Sequence, residues 1–201
     1  MTCKIGLFVF DEIEVLDFAG PYEVFTTASR VFKRNNPSSP EPFAVFTVGK
    51  TSARVRARAG LNVYPDYNFE NHPDIDLLLI PGGVVTTELE TPDVIRWIAK
   101  IAERSSLTAS ICTGAFLLAK AGLLDGKSAT THWEDIDDLR AMFPSVQVHE
   151  RRRWIDEGSV VTSAGISAGI DMSLHLVERF SSKELAERTA RQLEFDWTQD
   201  V

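Results

Sequence analysis

Cysteine is scarce in this chain: Cys3 and Cys112 are the two among 201 residues. Two thiols do not make a disulfide framework, which excludes a small stapled secreted fold. Histidine is nearly as scarce. His72, His132, His149 and His175 are scattered, with no CxxC or HxxxH spacing, so no metal site is expected. No run reaches the roughly eighteen apolar residues of a membrane span. The N-terminal "MTCKIGLFVFDEIEVLDF" is interrupted by Asp11, Glu12 and Glu14, where a signal peptide would stay apolar. The cytoplasm is therefore the expected compartment. An excess of cationic residues is missing too, since 21 Lys+Arg stand against 29 Asp+Glu, a net charge of −8. Nucleic acid and anionic membranes reward clustered Lys and Arg, so neither is an expected partner. The one basic cluster, "ERRRW" at Glu150 to Trp154, reads as a solvated edge strand. No linker, repeat or low-complexity tract divides the chain, and its length suits one domain over 1–201.

What the chain does have is alternation. "KIGLFVF", "FAVFTVG", "DIDLLLIPGG" and "LTASIC" are apolar runs of the kind buried on both faces of a parallel sheet. Between them lie segments of helical periodicity: "DFAGPYEVFTTASRVFKR", "PDVIRWIAKIAER" opening on Pro92, and "TGAFLLAKAGLLDG" closing near Gly122. "ARVRARAGLNVYPDYNF" reads as an appended hairpin, "SATTHW" as a short strand, and "RWIDEG" with "SVVTSAG" as a second hairpin. Two final helices follow, the last capped by Ser181 or Ser182. Strand and helix in turn mean βαβ units, a mostly parallel sheet and helices on both faces. Sites in such folds lie at the carboxyl ends of strands. Asp17, the pair Gly82 and Gly83, and Cys112 collect there.

Cys112 stands where "LTASIC" meets the helix beginning at Thr113. A strand that stops abruptly at a helix makes an elbow and pushes its apex residue into the crevice, often in a strained conformation. Gly114 permits the tight turn. The helix N-terminus would favour a thiolate and lower the thiol pKa. The competing reading is a structural cysteine packed as a small hydrophobe. The diglycine and Asp17 at neighbouring strand ends favour chemistry. Cys3, ahead of the first strand, reads as incidental.

The segments "LDFAGPYEVF", "LLLIPGG", "SICTGAFLLAKAGLLDGKSATTHW" and "VTSAGISAGIDMSLHLVE" resemble the ThiJ/PfpI superfamily, in the right order and over nearly the whole chain. The resemblance implies a flavodoxin-like three-layer sandwich like that of class I glutamine amidotransferases, with a nucleophile elbow, no cofactor, and a homodimer. Within the superfamily, Asp17 in D-x-x-G-P and Cys112 followed by Thr-Gly resemble the isonitrile hydratase branch, and also the N-terminal domains of some AraC-type regulators.

The first resemblance implies a small-molecule substrate, with Cys112 as nucleophile and Asp17 as its acid partner. Asp17 could instead cap a helix before Gly20-Pro21. Glu14, expected to face solvent, and Glu23 are rival acids. Thr113 and the Gly82-Gly83 turn, Gly83 above all, are candidate donors to an oxyanion. Amidase-like members use a histidine, so His132 could face Cys112 across the crevice, although a packed ring beside Trp133 is the plainer expectation. Contact between His132 and Cys112 would favour a hydrolase or glyoxalase-like enzyme over a hydratase. Gly165 permits a close backbone approach near the pocket. Asp171 is expected in the first turn of its helix, and His175 in the core or an interface. The second resemblance implies a metabolite-sensing domain. AraC-type regulators carry helix-turn-helix units downstream, for which a chain ending at Val201 leaves no room, and this favours the enzyme.

Overall fold

A computed structural model describes residues 2–199. Its strands are β1 (Cys3–Val9), β2 (Phe43–Gly49), β3 (Val55–Arg56), β4 (Asn62–Val63), β5 (Tyr67–Asn68), β6 (Leu77–Ile80), β7 (Leu107–Ile111), β8 (Ser128–Ala129), β9 (Gln147–Val148), β10 (Trp154–Asp156) and β11 (Val160–Ser163). Its helices are α1 (Val15–Asn35), α2 (Thr86–Leu89), α3 (Pro92–Ala102), α4 (Gly114–Lys120), α5 (Ile136–Met142), α6 (Ala168–Phe180) and α7 (Lys183–Gln192).

Seven strands form one sheet in the order β10-β11-β7-β6-β1-β2-β5. Every neighbouring pair in it is parallel except β10–β11, the antiparallel hairpin at one edge. The architecture is the mostly parallel α/β sheet that the alternation predicts, in the flavodoxin-like form that the resemblance implies. The central strands are buried throughout: Leu77, Leu78, Leu79 and Ile80 of β6 are all 0% exposed. Such strands lose more water-exposed apolar area than a one-sided strand can, at about 25 cal/mol per Å². The order places β7, β6 and β1 side by side, so the residues that follow them meet at one edge of the sheet.

Several local expectations change. The first helix begins at Val15, with Glu14 as its N-cap, so Pro21 lies inside it and not at its opening. Asp17 is therefore a first-turn residue and not a cap. β3 and β4 do form a hairpin, but as a separate two-stranded sheet, and β8 pairs with β9 in another. The basic cluster is not an edge strand; β10 begins only at Trp154. Arg153 turns inward and forms an ion pair with Asp171, a fully buried residue in the first turn of α6. The other Asp171 oxygen accepts from the Thr198 N–H at 2.7 Å, and Trp197 Nε1 donates to the Asp171 carbonyl at 3.2 Å. His175, expected in the core or an interface, is part-buried, stacks on Trp154 and bonds Asp156 at 2.7 Å. Ser182 caps α7 by accepting from the Leu185 N–H.

Candidate active site

The elbow is present. Cys112 lies between β7 and α4 with φ +55, a left-handed conformation that costs a residue with a side chain on the order of 1–3 kcal/mol. Three bonds hold it, two of them long-range. The Cys112 N–H donates to Ser163 O at 3.1 Å, and the Cys112 carbonyl accepts from Thr131 Oγ1 at 2.8 Å and from the Ala115 N–H at 3.3 Å. A Cβ at Gly114 would stand 2.1 Å from Ile80 O, so only glycine lets α4 start this close to β6.

Asp17 lies behind the elbow, 0% exposed. Its Oδ2 accepts from the Gly82 N–H at 3.1 Å, while Oδ1 has no partner with hydrogen-bond geometry. Burial pushes the carboxyl up to about 7. The Gly82 N–H opposes this, Glu14 adds to it, and the nearby Cys112 thiol opposes it least. The Gly82 turn is filled to contact, for a Cβ there would lie 2.6 Å from Thr113 N and 2.9 Å from Asp17 Oδ2.

The thiol departs from its expected acidity. Burial raises the Cys112 pKa first, and the Asp17 charge raises it further. The Thr113 N–H pulls it down, but by less. The helix N-terminus is there as predicted, yet desolvation outweighs it, and the resting sulfur is a neutral thiol.

The expected oxyanion donors are also engaged elsewhere. The Gly83 N–H donates to Thr113 Oγ1 at 2.8 Å, and that hydroxyl donates back to Gly83 O at 2.8 Å. The Gly82 N–H is held by Asp17. Of the three residues, only Thr113 directs its backbone N–H at the sulfur. The exchanged pair ties the β6 turn to the elbow. Thr113→Val is expected to lower unfolding stability by roughly 1–3 kcal/mol, because it leaves Gly83 N–H and C=O unpaired. Urea unfolding should show a lower midpoint with an unchanged slope, and Thr113→Ser should restore it.

A pocket of about 230 Å³ opens above the sulfur, lined by Cys112, Thr113, Gly83, His132, Asp135 and Ile166, with Glu14, Arg58 and Glu134 completing the wall. His132 lines it while its ring also meets that of Trp133, centroids 5.8 Å apart, in keeping with the expected ring beside Trp133; Trp133 itself is 77% exposed. His132 Nδ1 lies 3.3 Å from Asp135 Oδ2. A Cβ at Gly165 would stand 2.3 Å from His132 Cδ2 and 3.0 Å from Cys112 Sγ, so ring and sulfur converge on one point that glycine leaves open. Glu14 is not a free solvent-facing acid, since it pairs with Arg58 at 3.2 Å on the pocket wall. Glu23 pairs with Arg30 on the surface, which removes it as a rival. Arg58, Glu134, Asp135 and Ile166 carried no signal in the sequence beyond "TTHWED" beside His132.

A family profile, DJ-1/PfpI, matches residues 3–179. Isonitrile hydratase of Pseudomonas putida is 32% identical over 196 residues, 97% of this chain and 79% of that protein. The HTH-type transcriptional regulator GbdR of Pseudomonas aeruginosa is 30% identical over 91% of this chain, which spans about half (48%) of the regulator's length. A solved ThiJ/PfpI family protein from Pseudomonas syringae superposes with a TM-score of 0.85 at 27% identity, covering 99% of this chain and 77% of that one.

Proposed function

The chain belongs to the DJ-1/PfpI family, and on that premise we propose that it is a cysteine enzyme of one domain that adds water to isonitriles to give N-formamides. The observation that carries this reading is the buried Asp17 carboxyl, with one unpartnered oxygen and a pKa of about 7, placed behind the Cys112 thiol. A group poised there both accepts and returns a proton near neutral pH.

The thiol is neutral at rest, so the nucleophile forms as it reacts. Asp17 takes the S–H proton while Sγ bonds to the terminal isonitrile carbon. Asp17 then gives that proton to the same carbon, leaving a thioimidate, R–N=CH–S–Cys112. Water adds to the imidate carbon and the C–S bond breaks. One water proton ends on nitrogen and the other on sulfur, releasing R–NH–CHO and the free thiol. The Thr113 N–H, directed at the sulfur, stabilises negative charge on it as it develops.

A second reading rests on one specific observation, the convergence of Cys112, His132 and Asp135. A cysteine, a histidine and a carboxylate in series suit acyl transfer or a glyoxalase-like reaction. The likeness to regulators supports a third, a sensor that binds a metabolite without turnover. One experiment separates them. Incubation with a simple aryl isonitrile should give formamide, and methylglyoxal should be left unconsumed. Consumption of methylglyoxal alone would establish the second reading, and turnover of neither would favour the third.

A further inference from the structure

A second cavity, also about 230 Å³, lies at the carboxyl ends of β1 and β2 and shares no lining residue with the cysteine pocket. Its apolar wall includes Phe8, Phe10 and Val94, and its charged groups are Asp11, Glu88, Lys50 and Arg54. Glu88, on α2, is only 7% exposed, and its Oε2 has no hydrogen-bond partner among the described residues. Burial pushes this carboxyl up to about 7; its own backbone N–H opposes that, Asp11 adds to it, and Lys50 offsets it least. A buried carboxylate oxygen without a donor is a costly feature to retain, and it lines a cavity large enough for roughly seven waters. Asp11 is held in place by accepting the Arg56 N–H at 2.7 Å. Two carboxylates could attract a metal ion, but Lys50 and Arg54 beside them repel one. The same two cations suit a carboxylate.

We propose that this cavity binds a small amphoteric molecule of the α-amino-acid class, with its ammonium group on Glu88, its carboxylate at Lys50 and Arg54, and an apolar side chain against Phe8, Phe10 and Val94. Neither end alone satisfies both signs of charge, so the ligand must carry both.

Isothermal titration with three probes tests this: leucine, 3-methylbutylamine, which lacks the carboxylate, and 4-methylpentanoate, which lacks the ammonium. Leucine should bind, and each truncated probe should bind at least tenfold more weakly. Glu88→Gln and Lys50→Met should each weaken leucine at least tenfold. Lys50 is exposed, so its variant tests the site without risk to the core. Cys112→Ala should leave leucine affinity unchanged, because the two cavities are separate. Absence of leucine binding, equal binding of all three probes, or undiminished affinity in either charge variant would overturn the proposal. None of these outcomes bears on isonitrile turnover.

Discussion

Cys112→Ala is expected to form no formamide above the uncatalysed rate, a loss of at least about 10³-fold, while keeping its fold. The reaction needs a covalent bond to carbon at this position, and no other thiol is near. Cys3 starts β1, before its buried run, and is not among the residues lining the pocket above Cys112, so it cannot substitute. The variant should be stable because alanine tolerates the same left-handed turn and the three bonds holding the elbow are made by backbone atoms of residue 112. Formamide formation is followed by chromatography and unfolding by far-UV circular dichroism. Turnover by a folded alanine variant would remove the sulfur from the mechanism.

Asp17→Asn carries the second large effect, and it separates activity from stability. Removing a proton relay of this kind costs about 10²–10⁴-fold in rate. Stability moves the other way. The carboxyl ionises near 3.8 when exposed and near 7 when folded. Below pH 3.8 both states carry the proton and the group opposes nothing. As pH rises towards 7 the unfolded chain has lost its proton while the folded one still holds it, so stability falls, and it levels off above 7. From pH 5 to 8 the wild-type protein should lose roughly 2–3 kcal/mol through this group. Asp17→Asn keeps an oxygen for the Gly82 N–H and carries no charge, so that part of the slope should vanish. Urea unfolding at pH 5 and 8 measures it. An unchanged pH slope would mean that Asp17 is not held protonated in the core.

The division between what could and could not be read from the chain follows the range of the interactions. Cys112 was legible because an apolar strand, a thiol and a glycine are adjacent in sequence. Its acidity was not, since the helix N-terminus is local while the desolvation that outweighs it comes from the whole fold. Gly83 looked like a free donor because its partner, the Thr113 hydroxyl, is 30 residues away. Asp17 stood out by its place after the first strand, but its role as acid partner came only through the family resemblance, with Glu14 and Glu23 as rivals. Pro21 drew the helix start forward, when the Glu14 cap had already set it at Val15. The second cavity left no trace, for α2 is a four-residue turn of helix, too short to show periodicity.

The buried Asp171 has a mechanical consequence. It grips the 197–198 segment from the first turn of α6, and the residues leading into that turn, Gly165 and Ile166, face the sulfur and the mouth of its pocket. Tension on this segment therefore bears through one residue, by its carboxylate and its carbonyl, on the wall that carries Gly165 and Ile166. A pull there would bear alike on that wall and, through Arg153, on the strand β10 beside it.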